Sequence, residues 1–161
     1  MVFYFVFYWL VKFYYPTKKQ NEMDVKKFAI GTLAGGVAFF LLGWLLYGIL
    51  FMNYFEANAG SATGVSKESM NMVALFLGNL AMAALYTLIF LRWANISTFM
   101  GGLKAGALIG LLVALGLDLT MFGTTNLMTL NGMVMDVVVS TVMTAIAAGV
   151  IGWVLGMGKK E

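Results

Sequence analysis

Long apolar runs alternate with short polar stretches along the chain. Four runs approach or exceed the roughly 20 residues a helix needs to cross a hydrocarbon core: Phe28 to Phe51, Asn71 to Trp93, Leu103 to Phe122 and Val134 to Gly156. Between them lie Asn53–Ser69, the link Ala94–Gly102 and Gly123–Met133, and no proline interrupts a run. The pattern predicts an all-α membrane protein, a four-transmembrane-helix bundle with a short aromatic N-terminal extension. Residues 23–161 form the bundle on this reading and residues 1–22 the extension.

A finer period runs inside the spans. The third reads Gly102, Gly106, Gly110, Ala114 and then Asp118, one residue in four. The fourth reads Asp136, Ser140, Thr144, Ala148, Gly152, Gly156. The second carries Ala74, Gly78 and Ala81 beside Asn79, and the first Gly31, Gly35 and Gly43. Between lipid-embedded helices there is no apolar surface to hide from water, so close association depends on small residues and polar contacts. These ladders are therefore expected to be packing faces. A four-residue step turns about 40° on a helix of 3.6 residues per turn, so any single contact should cover only part of a ladder.

Residues 1–22 hold nine aromatic residues and no Gly or Ala, and their apolar run stops before Pro16, short of a span. An interfacial anchor, a fifth span and a signal-like segment are alternatives. We expect Met23 to be the true initiator and the preceding residues to be translated upstream sequence; retention of residue 1 in the intact mass of the native gene product would reject this.

Composition agrees with the pattern: 61% of residues are hydrophobic and 11% charged, where soluble domains have roughly 45–50% and about 25%. The mean hydropathy is +0.90. The absence of His and Cys removes disulfides, thiolate nucleophiles, histidine bases and Cys/His metal sites. No cofactor or metal is expected. The 13 Met and 13 Phe read as packing and lipid-facing residues, and Trp44, Trp93 and Trp153 as interface or packing aromatics.

Lys and Arg stay on the cytoplasmic side of short loops. Lys18, Lys19, Lys26, Lys27, Arg92, Lys104, Lys159 and Lys160 fall on one side and Lys67 alone on the other. Both ends of the bundle, including the C-terminus, should be cytoplasmic, with Asn53–Ser69 and Gly123–Met133 outside. The net charge of +3 suits anionic lipid headgroups and calls for no nucleic acid.

Asp118 and Asp136 both fall in the outer half of the membrane on this topology, where they are expected to be neighbours. Asp118 should lie five or six residues past the centre of its span, roughly 8 Å at about 1.5 Å per residue. Acids at such depth are costly and usually face a bundle interior or a water cavity. Asp136 reads as a first-turn residue favoured by the helix dipole. Asn79 reads as interhelical glue, and Tyr47 and Thr120 as further members of a polar site or network.

The passage FLLGWLLYGILF (Phe40 to Phe51), with the glycine-punctuated pair of helices ending GVIGWVLG (Gly149 to Gly156), resembles the bacterial membrane family catalogued as domain of unknown function 1761. The resemblance covers roughly Lys26 to Gly158. It implies a four-helix fold in a bacterial cytoplasmic membrane and assigns no reaction. The leading expectation is a non-enzymatic protein, oligomeric through its small-residue faces, with small-solute or ion permeation through Asp118 as its sharper form. The charge bias argues against antiparallel dual-topology dimers. A structural or assembly partner in a membrane complex is the alternative. An intramembrane aspartyl protease using Asp118 and Asp136 is weaker, because the chain reads LGLD at Leu115–Asp118 and MD at Met135–Asp136 and lacks the GxGD signature.

Overall fold

A computed structural model describes residues 24–65, 67 and 69–157; the aromatic extension and the expected initiator Met23 lie outside them. Helix α1, Val25–Leu45, continues through a π-helical turn, Leu46–Leu50. A short helix, α2 (Met52–Ala57), begins the connection to α3, Met72–Ile89, which also ends in a π-helical turn, Phe90–Ala94. Helices α4, Phe99–Thr124, and α5, Leu130–Gly156, complete the chain. All four expected spans are present, as apolar helices of 23 to 27 residues. The protein is a multi-pass helical membrane protein whose outward surface meets the bilayer.

The third and fourth spans each begin four residues before their apolar runs. Polar side chains start them. Thr98 Oγ1 accepts from Gly101 N–H at 3.0 Å and Thr129 Oγ1 from Gly132 N–H at 3.2 Å, as Asp24 accepts from Lys27 N–H and Asn71 from Ala74 N–H, both at 3.0 Å. Each bond satisfies a donor that has no partner within its helix, and such a cap is worth about 1 kcal/mol.

Helix α5 is central. Half of its span is buried, against 17–22% of the other three, and it packs on α4 along one face and on α1 along another. Helix α3 lies mainly against α1 and touches α5 lightly. The core between α1, α3 and α5 holds Phe39, Ala83, Tyr86, Phe90, Ala147, Ala148, Ile151 and Leu155. Its aromatic centre is Tyr86, with ring centroids 6.0 Å from Phe39 and 6.2 Å from Phe90. Gly35 lets α1 approach α5, since a Cβ there would meet the Ile151 side chain at 2.5 Å.

The expectation for the second span's ladder is corrected: Ala74, Gly78 and Ala81 all lie exposed on the outward face of α3. That helix packs through Ala83, Tyr86 and Thr87 instead, because Ala83 and Thr87 are the residues that face Gly35 and Gly31 of α1. Trp44, Trp93 and Trp153 also point outward, more than half exposed.

At one end of the bundle the two longer connections are stitched together. Ala59 and Met128 form an antiparallel bridge; Gly60 N–H donates to Leu127 C=O at 2.9 Å, Ala62 N–H to Asn126 C=O at 3.1 Å and Thr129 N–H to Asn58 C=O at 3.0 Å. A Cβ on Gly60 would collide with the Asn126 carbonyl, so glycine permits the approach. The α3–α4 link lies at the opposite end.

Candidate functional site

Asp118 completes a stripe. The buried residues of α4 are Gly102, Gly106, Gly110, Ala114 and Asp118, which is the whole ladder and nothing else. The expectation that a single contact covers only part of it is corrected: every ladder residue is buried, and α5 meets the ladder at Gly102, Gly106 and Gly110 and again at Asp118. A repeat longer than 3.6 residues is tracked by a right-handed winding of the partner helix.

The contacts show the register. A Cβ at Gly102 would collide with the Ala148 carbonyl, one at Gly106 with Ala148 Cβ, and one at Gly110 would lie 2.7 Å from Thr144 Cβ. Toward the link end, a Cβ on Gly152 would lie 3.2 Å from Gly102 Cα, and one on Gly156 would collide with the Ser97 carbonyl. Ala114, buried on the same stripe, completes the face. Antiparallel steps of four residues, continued toward the stitched connections, set Asp118 opposite Asp136.

The carboxyl groups of Asp118 and Asp136 lie within hydrogen-bonding reach of each other. Both are about 10 Å from the midpoints of their helices, six to seven residues at about 1.5 Å each. Asp118 is therefore slightly farther from its helix centre than expected, since α4 begins at Phe99. The first-turn reading of Asp136 is corrected. Thr129 caps α5 and Asp136 sits in its second turn, with no acid in the first, so its placement serves the pairing rather than the helix start.

Tyr47 joins from the first span, in the π-helical turn that ends it. Asp136, Asp118 and Ser140 are the polar side chains close enough to act on its hydroxyl. Such turns insert an extra residue per turn and re-aim side chains, often at functional positions. Phe55 of α2 stacks on the Tyr47 ring at 5.1 Å between centroids, so the ring is held between the acids and the stitched connections.

Hydrogen-bond chemistry constrains what this cluster holds. A carboxylate has only acceptors, so two carboxyl groups in contact need one proton between them. Asp118 is 6% exposed, and its Oδ2 is buried without a donor. Among the described residues, the charged group acting on Asp118 is Asp136, and those acting on Tyr47 are the two aspartates. The pair has no basic partner there.

Asn79 stands apart, which corrects its reading as interhelical glue. Its amide donates to the Leu75 carbonyl of its own helix at 2.8 Å, and it lines an open groove with Lys67, Gly78 and Met82. Thr120 likewise turns back, donating to Gly116 C=O at 2.7 Å, which satisfies the hydroxyl within the helix. Ser140 is the addition that a pairwise reading of the acids misses. It lies one turn from Asp136 on the same face of α5, a spacing visible in the sequence.

No known family model, curated protein or solved structure matches the chain.

Proposed function

We propose that the protein mediates proton-linked permeation of a small solute or ion, with Asp118 and Asp136 as the intramembrane acid. The observation that carries this reading is the placement of two carboxyl groups opposite each other on adjacent spans, with no basic partner among the described residues. Intramembrane acids are costly and concentrate on proton relays and ion pathways, and a shared proton is a labile one. Lys26, Lys27, Arg92 and Lys104 lie at the opposite end of the bundle, and their retention on the cytoplasmic side would put the pair nearer the outer face. Residence in a bacterial cytoplasmic membrane with a cytoplasmic C-terminus, and membership in the family catalogued as domain of unknown function 1761, belong to the same proposal. They rest on the charge asymmetry and on the passages Phe40–Phe51 and Gly149–Gly156.

The test is proton flux into vesicles carrying the purified protein, driven by a potassium diffusion potential and followed with a trapped pH dye. The parent should exceed empty vesicles, and Asp118→Asn should fall to their rate while keeping its thermal melt. Equal flux for parent and variant rejects the reading. Because the chain lacks cysteine, Asp118→Cys adds a second readout: labelling by an impermeant maleimide from outside intact cells is expected, and protection in a folded variant marks a dry contact.

The same carboxyl contact favours one other activity, peptide hydrolysis by an aspartyl dyad, in which the pair shares a proton and activates water. Cleavage of a membrane peptide that is lost in Asp136→Asn would establish it over permeation.

A further inference from the structure

We propose that Asp118, Asp136, Tyr47 and Ser140 form a binding site for a monovalent cation of the sodium class, which enters as the shared proton leaves. The inference rests on the proton-sharing reading above and names what competes with the proton.

Charge argues for an exchange. Two carboxyl groups with one proton carry a single negative charge, and two carboxylates with one monovalent cation carry the same. Replacement therefore leaves the charge held at this depth unchanged, where each uncompensated charge is expensive. The balance is complete: the cation binds the carboxylate oxygens and the proton departs to water. A divalent ion would not exchange one for one.

The donor set agrees. Every candidate ligand is an oxygen, the donor type of hard cations, whereas thiolate and imidazole donors are absent from the chain. Asp118 Oδ2 is buried and unpartnered on a residue only 6% exposed, so this lone-pair donor is already stripped of solvent. Ser140 spends its proton on the Val137 carbonyl at 3.3 Å, which leaves its oxygen lone pairs free. The Tyr47 hydroxyl, from the π-helical turn of the first span, lies near Asp136 and Ser140 and adds a further oxygen to the cluster. Asp136 of α5 and Tyr47 of the first span are the titratable groups facing Asp118 from the packed elements. Neither supplies a positive charge, so among the described residues neutralisation falls to a proton or a bound cation.

The measurement is infrared difference spectroscopy of the full chain in lipid nanodiscs, reading the carbonyl stretch of the protonated carboxyl group. Sodium chloride replaces choline chloride at constant pH and ionic strength. The band should be present in choline and disappear saturably with sodium. Asp118→Asn should lack it in both salts, and Ser140→Ala should keep it while moving its loss to higher sodium. A band indifferent to sodium overturns the cation site and leaves the shared proton standing. No band in either salt overturns the shared proton itself, and the cation site with it. Loss of the band with calcium but not sodium overturns the monovalent assignment.

Discussion

Glycine in α4 has two meanings, set by what faces each position. At Gly106 a Cβ would meet Ala148 Cβ and lie 2.9 Å from the Thr144 carbonyl, whereas at Gly116 nothing lies within 4 Å. Gly106→Val should therefore push α4 from α5 and lower the melting temperature, with a cost of about 1–3 kcal/mol or more where backbone must move. Gly116→Ala should be neutral or stabilising by up to roughly 1 kcal/mol, since alanine favours helix over glycine. Thermal melts of the two variants in one detergent check the contrast. The pairing of Asp118 with Asp136 was legible as a shared depth on neighbouring spans. The four-residue ladders bring it about, because the contacts of Gly102, Gly106 and Gly110 with α5 fix the register that a straight-helix projection leaves open. Tyr47 was legible as a polar residue at a span end. Its aim at Asp136 depends on the π-helical turn over Leu46–Leu50, which the apolar pattern does not encode.

Among the elements, α3 presents Ala74, Gly78 and Ala81 outward and Ala83, Tyr86 and Thr87 inward. An exposed Ala74, Gly78, Ala81 edge is a surface on which a second span can approach closely, so we expect self-association or a membrane partner there. Among the described residues nothing lies within 4 Å of a Cβ at Gly78, so Gly78→Leu should leave the fold intact. It should shift the protein toward monomer in light scattering from detergent solution, and an unchanged mass would remove this edge as the contact. The four spans themselves were plain from apolar length, and their starts were not. Thr98 and Thr129 fall in polar stretches, and only their bonds to Gly101 and Gly132 assign them to the helices that follow.

Over the whole molecule, the stitched connections cover the end at which the acids lie, with Tyr47 and Phe55 stacked between. Ala59 and Met128 are directly bridged, and opposed antiparallel residues have Cα atoms about 4.5–5.5 Å apart, within disulfide range. The pair Ala59→Cys with Met128→Cys should oxidise readily. If the seam opens during permeation, oxidation should slow proton flux and reductant should restore it; equal flux in both states means that the connections need not part. Helix α4, in turn, rests chiefly on α5, its neighbour across a connection of five residues. The last two spans can therefore enter the bilayer together as a hairpin, each aspartate meeting its proton-sharing partner during insertion. A chain ending after α4 would present Asp118 to lipid alone, so insertion itself favours keeping these two carboxyl groups on one hairpin.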